Sequence, residues 1–227
     1  MTTTPGTGAY AAAHDRSIRD PEGFWGEAAG DIHWIRRPQR VLDDDRPPFY
    51  RWFPDGVLNT CFNALDRHVI EGRADQPALV HDSPLTDTTT TYTYAQLLDL
   101  VGRFAGVLRA LGVGPGDRVV IYLPMVPEAV VAMLACARIG AVHSVVFGGF
   151  APTELALRID DARPKVVVSA SCGIEPTRVI EYKPLLDRAI ELATHKPGKR
   201  VILQRPQAVA AMGPDDVDWA AAAATAS

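Results

Sequence analysis

Two adjacent glycines, Gly148 and Gly149, and a downstream arginine, Arg178, are the residues of this chain that best suit binding of a phosphate group. The glycines have no Cβ, so a ligand can approach their backbone N–H groups. They also come just before a predicted helix, whose N-terminus carries positive partial charge. The guanidinium of Arg178 has a forked geometry that suits phosphate oxygens. The alternative interpretation is a tight strand–helix turn and an unrelated surface arginine, and these residues alone leave both open.

Other candidate sites are weaker. The glycine-rich stretch from Gly112 to Asp117 follows a helix and precedes a strand, the reverse of a dinucleotide fingerprint, and we interpret it as a connecting turn. Cys61, Cys136 and Cys172 form no C-x-x-C pair and are expected to be buried thiols. The run Asp43 to Asp45 is expected in a solvated loop. A P-loop, a nucleophile elbow and a paired acid and histidine are all absent from the sequence, so we assign no metal site and no catalytic residue.

The elements that must position the glycines and Arg178 alternate between strand and helix. Near-continuous apolar runs predict strands at 118–123, 142–147, 165–170 and 200–203, and helices are predicted at 127–139, 152–162 and 181–195. This alternation predicts an α/β fold with a doubly wound, mostly parallel sheet and flanking helices. Right-handed crossovers would then bring the loops at 124–126, 148–151 and 171–177, with Arg178 just beyond, to one edge of the sheet, where such folds bind ligands.

The chain before this sheet has two predicted parts. Residues 1–57 are expected to form an irregular, aromatic-rich N-terminal extension that packs on the main domain, because prolines at 38, 47, 48 and 54 interrupt helices. The main domain, 58–227, is expected to begin with a helix from Asn59 and strands at 78–81 and 88–92. A long helix then starts at Thr93, where Gln96 completes a capping box, and ends at Gly112.

Composition excludes several classes of function. The 227 residues carry a net charge of −4, with 47% hydrophobic and 22% charged residues, so there is no electrostatic case for nucleic acid or an anionic membrane as partner. Charged residues and prolines interrupt every apolar run before it reaches the length of a membrane span. The N-terminal residues do not resemble a secretory signal, and a cytoplasmic location is expected.

Specific blocks of sequence carry a resemblance to a known family. The stretch from Thr91 to Phe150, ending in VFGGF, and the segment GIEPTR at 173–178 resemble the acetyl/propionyl-CoA synthetase group of the adenylate-forming (AMP-binding) superfamily, leaning towards propionyl-CoA synthetases. The likeness runs from about Tyr10 to Arg205. It implies that the sheet is the first part of that family's large N-terminal domain. It also implies an enzyme that joins a short carboxylate to ATP with Mg²⁺, forms an acyl-adenylate, and transfers the acyl group to coenzyme A.

The resemblance also implies roles for particular residues. Phe147, Gly148 and Gly149 would line the adenine and phosphate end of the coenzyme A site, and Arg178 would contact the 3′-phosphate. Glu175 stands where the acetate enzymes have a second arginine. A carboxylate at this position would repel phosphate.

The likeness ends with the family's first third. The phosphate loop T-S-G-T-T-G-x-P-K-G, the hinge and the C-terminal domain with its adenylation lysine are not in the sequence. We therefore expect an N-terminal fragment of a short-chain acyl-CoA synthetase that is inactive alone and holds only part of the coenzyme A site. The alternatives are a stand-alone coenzyme A- or nucleotide-binding module without catalysis, or one part of a split enzyme that associates with the missing C-terminal part. In the split-enzyme case, an uncovered strand at 200–203 would seek a partner unless the alanine-rich tail, expected to form a short helix, covers it.

Overall fold

The computed structural model of the protein describes residues 8–226, which form two compact units divided between Asn59 and Thr60. The first unit contains helices α1 (Ala9–Arg19) and α2 (Pro21–Ala28) and the short antiparallel strands β1 (Leu42–Asp43) and β2 (Arg51–Trp52). The prediction of an irregular segment was therefore wrong for residues 9–28. The four prolines on which it rested lie after this stretch, and Pro21 is the first residue of α2, a position where proline is tolerated. Residues 1–7 of the predicted extension lie outside the described residues.

Side chains of the first unit contact each other. Trp25 meets Trp52 edge to face with ring centroids 6.0 Å apart. The three consecutive aspartates, 43 to 45, all lie within 4 Å of the Arg40 guanidinium, so this acidic run is paired with an arginine. Packing of the extension on the main domain stays a prediction.

The second unit begins with two π-helical turns, Phe62–Asp66 and Val69–Arg73, and the antiparallel hairpin of β3 (Pro77–Ser83) and β4 (Thr88–Thr93). Helix α3 (Tyr94–Ala110) then starts at the predicted capping box. The Gln96 N–H donates to Thr93 Oγ1, and the Thr93 N–H donates to Gln96 Oε1. Gly112 follows the helix with φ 81°, the left-handed conformation expected of a glycine at this position.

A five-stranded parallel sheet forms the centre of this unit, in the order β11-β10-β7-β5-β6. Its strands are β5 (Arg118–Tyr122), β6 (Val142–Val145), β7 (Val166–Ala170), β10 (Lys199–Leu203) and β11 (Asp216–Asp218). Helices α4 (Pro127–Arg138), α5 (Pro152–Ala162) and α6 (Tyr182–Leu192) lie in the connections between successive strands from β5 to β10, and α7 (Trp219–Thr225) follows β11. The predicted α/β fold with a parallel sheet and flanking helices is confirmed.

Two separate buried clusters lie on the two faces of the sheet. One includes Phe104, Val119 and Val168, with helices α3, α4 and α7 packed against it. The other includes Val120 and Leu186 and lies under α5 and α6. Successive residues of β5 and β7 point into opposite clusters, so both faces of these strands are buried. This explains their unbroken apolar sequence.

Two details of the sheet differ from the expectation. The sequence at 171–177 was predicted to be a loop, but residues 172–181 form an antiparallel hairpin of β8 (Cys172–Glu175) and β9 (Arg178–Glu181). The strand at 200–203 was expected to have an uncovered edge unless the tail covered it; the unpredicted strand β11 pairs with it, and the tail forms the predicted short helix, α7. The open edges of the sheet are therefore β6 and β11. Val142 and Val145 of β6 are each more than half exposed.

None of the helices between residues 8 and 226 combines the length and the apolar character needed to cross a lipid bilayer.

Candidate functional site

The carboxyl ends of β5, β6 and β7 meet at one edge of the sheet, because these strands are parallel neighbours in the order β7-β5-β6. The chain leaves β6 into the segment 146–151, which contains Gly148 and Gly149. It leaves β7 into the β8–β9 hairpin, which carries Arg178. Adjacent strands are about 4.8 Å apart, so the ends of β6 and β7 lie about 10 Å from each other. All the predicted site residues therefore follow strands that end at the same edge.

Tyr182, the first residue of α6, connects the glycine segment to the hairpin. A Cβ added to Gly148 would lie 2.9 Å from Tyr182 Cε2 and closer still to the hydroxyl, and one added to Gly173 would lie 2.6 Å from Tyr182 Cε1. The ring is 5% exposed and stacks on Tyr122, with centroids 5.0 Å apart. The Tyr122 hydroxyl donates to the carbonyl of Phe150, 3.0 Å away. These contacts fix the glycine segment against the hairpin.

The two glycines of the predicted site have different surroundings. At Gly148, the space of a missing side chain is filled by Tyr182, so glycine is required there by packing within the protein. At Gly149, a Cβ would lie 2.8 Å from Cε1 of the Phe147 ring. Sequence reasoning explained both glycines by an approaching ligand and missed Tyr182 and Gly173. A glycine inside a strand pattern, as at 173, is the one signal that could have indicated such a close approach.

Backbone donors remain available at this edge. Gly148 is buried and Gly149 is exposed, and neither N–H donates a hydrogen bond to another residue in the range 8–226. Helix α5 begins at Pro152, three residues after Gly149, so the two glycines directly precede its positive N-terminal end in the chain. The Phe147 ring is 71% exposed. An anionic group could therefore accept from the glycine N–H groups while an aromatic ring system packs on Phe147.

Arg178 lies at the tip of the hairpin and is already engaged by a carboxylate. Its Nε donates to Oε2 of Glu175 over 2.8 Å, and the two residues form the last pair of the β8–β9 register. The side chains are 67% and 43% exposed, respectively. The hydrogen bond and charge of Glu175 raise the pKa of Arg178 above its ordinary value, which keeps the guanidinium charged. Arg178 is therefore accessible to a ligand, but only beside a negative charge.

The stacked tyrosines are protonated at neutral pH. Burial, with a smaller contribution from Tyr182, raises the pKa of Tyr122 to about 12. Burial also raises the pKa of Tyr182, and the nearby Glu175 carboxylate adds to this effect. Both phenols can therefore donate hydrogen bonds, and neither is suited to accept a proton from a substrate.

A concave region of about 260 Å³ lies beside the base of the hairpin and is lined in part by Ser171, Lys183 and Asp187. The side chain of Lys183 is 8% exposed and contacts Asp187 Oδ1 at 2.6 Å and Asp216 Oδ2 at 3.0 Å. The side chain of Asp216 is fully buried and also accepts from Arg200 Nε at 2.8 Å. The buried charges here pair with each other, which indicates that this cluster holds α6 and β11 to the sheet.

Groups of side chains suited to a metal ion are absent from the part of the chain that the structure describes. The three cysteines are buried and unpaired as disulfides, and burial raises the pKa of Cys136 to about 12. None of the three thiols is accessible, and burial also raises the pKa of Cys61. The donor set that Mg²⁺ prefers is not assembled in residues 8–226.

Comparison with known protein families gives two matches that together span most of the chain. Residues 66–223 match the model of the AMP-binding enzymes, and residues 10–64 match the model of the acetyl-coenzyme A synthetase N-terminus. The boundary between these matches falls within a few residues of the division between the two compact units.

Curated relatives and a solved structure agree with these matches. The chain is 50% identical to the mitochondrial acyl-CoA synthetase short-chain family member 3 of Rattus norvegicus, over 96% of this chain and 32% of that protein. It is 46% identical to the propionate–CoA ligase of Escherichia coli, over 93% of this chain and 34% of that protein. The chain thus spans about a third of the length of these relatives.

The acetoacetyl-CoA synthetase of Streptomyces lividans superposes with a TM-score of 0.86 at 28% identity, over 98% of this chain and 34% of that one. The match of 66–223 covers well over half of the sequence. The chain therefore belongs to the AMP-binding enzyme family, in which its relatives include short-chain acyl-CoA synthetases and propionate–CoA ligases.

Proposed function

We propose that this chain supplies part of the coenzyme A site of an AMP-forming short-chain acyl-CoA synthetase that activates acetate or propionate. The observation that carries the proposal is that the N–H groups of Gly148 and Gly149 donate to no residue within 8–226, in a segment that also holds the exposed ring of Phe147 and leads directly into α5. A ligand that combines a flat base with phosphate groups matches this combination of donors and aromatic surface.

Each residue of the proposed site would have a distinct task. The glycine N–H groups would donate to phosphate oxygens, Phe147 would pack on the adenine, and Arg178 would face the 3′-phosphate from the hairpin tip. Tyr182 would act as a positioning residue, because it holds the glycine segment against the hairpin. Binding of ATP, Mg²⁺ and the carboxylate is left to parts of the enzyme outside this sequence, and no step of adenylation is assigned to these residues.

Titration calorimetry of the purified chain with coenzyme A tests the site. We expect Arg178→Gln to weaken binding and Arg188→Gln to leave it unchanged. Arg188 is a matched control, because it is also an exposed arginine paired with a glutamate three residues away, Glu191, but it lies on α6. Equal affinities for the wild type and both variants would remove Arg178 from the site. Absence of any binding would refute the proposed function.

The proposal also predicts that the chain alone does not form an acyl-adenylate. The measurement is propionate- or acetate-dependent exchange of pyrophosphate into ATP in the presence of Mg²⁺. We expect no exchange above the rate without enzyme. Robust turnover by the purified 227-residue chain would show that the chemistry resides here and would contradict the assignment.

A second candidate function, one part of a split enzyme, is favoured by the open edge of β6, where Val142 and Val145 are each more than half exposed. Mixing the chain with a polypeptide equivalent to the remaining two thirds of the Escherichia coli propionate–CoA ligase tests this idea. Recovery of thioester formation would support a split enzyme. Coenzyme A binding without any recovery would instead support a stand-alone binding module.

A further inference from the structure

We infer that Glu175 sets the phosphate selectivity of the proposed site, so that the chain binds coenzyme A and 3′-dephospho-coenzyme A with similar affinity. This inference rests on the proposed function, because it assumes that the 3′-phosphate of coenzyme A approaches Arg178. It adds a specificity-determining residue and a second ligand, one that lacks the 3′-phosphate.

The geometry of the hairpin tip carries the argument. Glu175 and Arg178 face each other as the last pair of the register, with only Pro176 and Thr177 between them. The salt bridge between them, 2.8 Å long, occupies the Nε of the guanidinium, and the Arg178 side chain as a whole remains 67% exposed. A phosphate that reaches the guanidinium must therefore come close to the Glu175 carboxylate.

The charges at the tip oppose selectivity for phosphate. A phosphate monoester is close to a dianion at neutral pH, since its second pKa is about 6. Within the hairpin, residues 172–181, Arg178 is the only basic residue, whereas Glu175 and Glu181 are acidic. Attraction to the guanidinium and repulsion from the carboxylate act over similar distances and largely cancel. A 3′-phosphate at Arg178 therefore adds little to the binding affinity as long as Glu175 is charged beside it.

Both ligands retain the groups that the rest of the site would recognise. Coenzyme A and its dephospho form share the adenine and the pyrophosphate, which suit Phe147 and the N–H groups of Gly148 and Gly149. Their affinities should therefore be set by this shared part and differ by less than about threefold in the wild type.

The decisive variant is Glu175→Gln, which removes the negative charge but keeps an oxygen that can accept from Arg178 Nε. Removing one negative charge about 6 Å from a dianion, in water and salt, should tighten the binding of coenzyme A three- to tenfold. The affinity for dephospho-coenzyme A, which lacks this phosphate, should stay unchanged. The gain should shrink as salt is raised. The matched control is Glu181→Gln, an exposed glutamate three register positions away, about 10 Å along the same hairpin.

Calorimetric titration of the wild type, Glu175→Gln and Glu181→Gln with both ligands separates the outcomes. Similar affinities in the wild type, with a gain for coenzyme A only in Glu175→Gln, support the inference. A wild type that prefers coenzyme A more than about twentyfold, with the same ratio in Glu175→Gln, overturns it while leaving the coenzyme A site intact. Failure of both ligands to bind any of the three proteins refutes the proposed function itself.

Discussion

The contact of Tyr182 with Gly148 and Gly173 gives the sharpest prediction about stability. The perturbation is Gly173→Ala, because the new Cβ would lie 2.6 Å from Tyr182 Cε1 and 2.7 Å from Cζ, where ordinary contacts need at least 3.4 Å. The ring cannot move away freely, since it is 5% exposed and stacked on Tyr122. Overpacking of this kind costs about 1–3 kcal/mol of unfolding free energy, and we expect Gly173→Ala to fall in the upper half of that range.

A second glycine gives an internal test of this reasoning. At Gly148, the atom nearest to a new Cβ is the Tyr182 hydroxyl, and the ring carbons lie 2.9 Å away or more. At Gly173, two ring carbons lie at 2.6 and 2.7 Å, and the hydroxyl lies at 2.7 Å as well. Tyr182→Phe removes only the hydroxyl, which has no hydrogen-bond partner in residues 8–226. This change should therefore restore part of the stability lost in Gly148→Ala, about 1 kcal/mol. It should restore less of that lost in Gly173→Ala, because the two ring carbons remain in the way there.

The assay is urea denaturation of the single and double variants, with the slope of free energy against denaturant checked for constancy. Gly102→Ala on α3 is the control, since nothing lies within 4 Å of its added Cβ, and it should stabilise the chain by about 0.5–1 kcal/mol. Equal rescue of both glycine variants by Tyr182→Phe, or destabilisation in Gly102→Ala as large as in Gly173→Ala, would refute the packing argument.

Three further predictions concern the elements that support the site. Asp216→Asn should lower the unfolding free energy by about 2–4 kcal/mol at neutral pH. The change removes the carboxylate that pairs with the buried cations Lys183 and Arg200. Burial opposes ionisation of Asp216, but hydrogen bonds from the Gly213 N–H, Lys183 and Arg200 outweigh it and lower the pKa of this carboxyl. Its contribution is therefore present above about pH 4 and lost as the pH falls further, so the stability of Asp216→Asn, measured by denaturation from pH 7 to pH 3, should depend less on pH. Thr93→Ala should lower the unfolding free energy by about 1 kcal/mol through loss of the cap of α3, whereas Thr90→Ala, which breaks no side-chain hydrogen bond, should cost less. Trp219→Ala should lower the unfolding free energy by about 3–5 kcal/mol, because the ring is buried and stacks on Phe104 with centroids 3.7 Å apart. The measurement is the thermal midpoint of unfolding, and an unchanged midpoint would show that α7 does not hold the tail on the sheet.

The sheet could be predicted because burial on both faces leaves a direct trace in the sequence. The strands β5 and β7 are nearly unbroken apolar runs, and the helices that follow β5 and β6 each begin with a proline. The hydrophobic pattern and the residues that mark the ends of elements agree with each other, so the type and order of these elements follow from local sequence alone. The same agreement made the capping box at Thr93 and the glycine after α3 predictable.

The hairpin at 172–181 and the strand β11 could not be predicted in this way. Gly173 and Pro176 are typical of loops, and strands of four residues are too short to show a period. The sequence Asp-Val-Asp of β11 has little strand propensity. It becomes a strand because the edge of β10 is available and because Asp216 meets the buried charges of Lys183 and Arg200. Both elements are set by tertiary contacts, which local patterns do not encode.

The candidate site shows the same division within a single residue. The sequence indicates that Gly148 has no side chain, and it indicates nothing about which neighbour needs the space. In the structure, the position that a side chain of Gly148 would occupy is filled by Tyr182, whereas the N–H of Gly148 donates no hydrogen bond within the described residues. A substitution at Gly148 would therefore act on packing and on ligand binding together. Glu175 and Arg178 are exposed and contribute little to stability, so substitutions there change ligand binding without changing packing. Selectivity between two ligands at these residues therefore tests the site more cleanly than loss of binding in glycine variants.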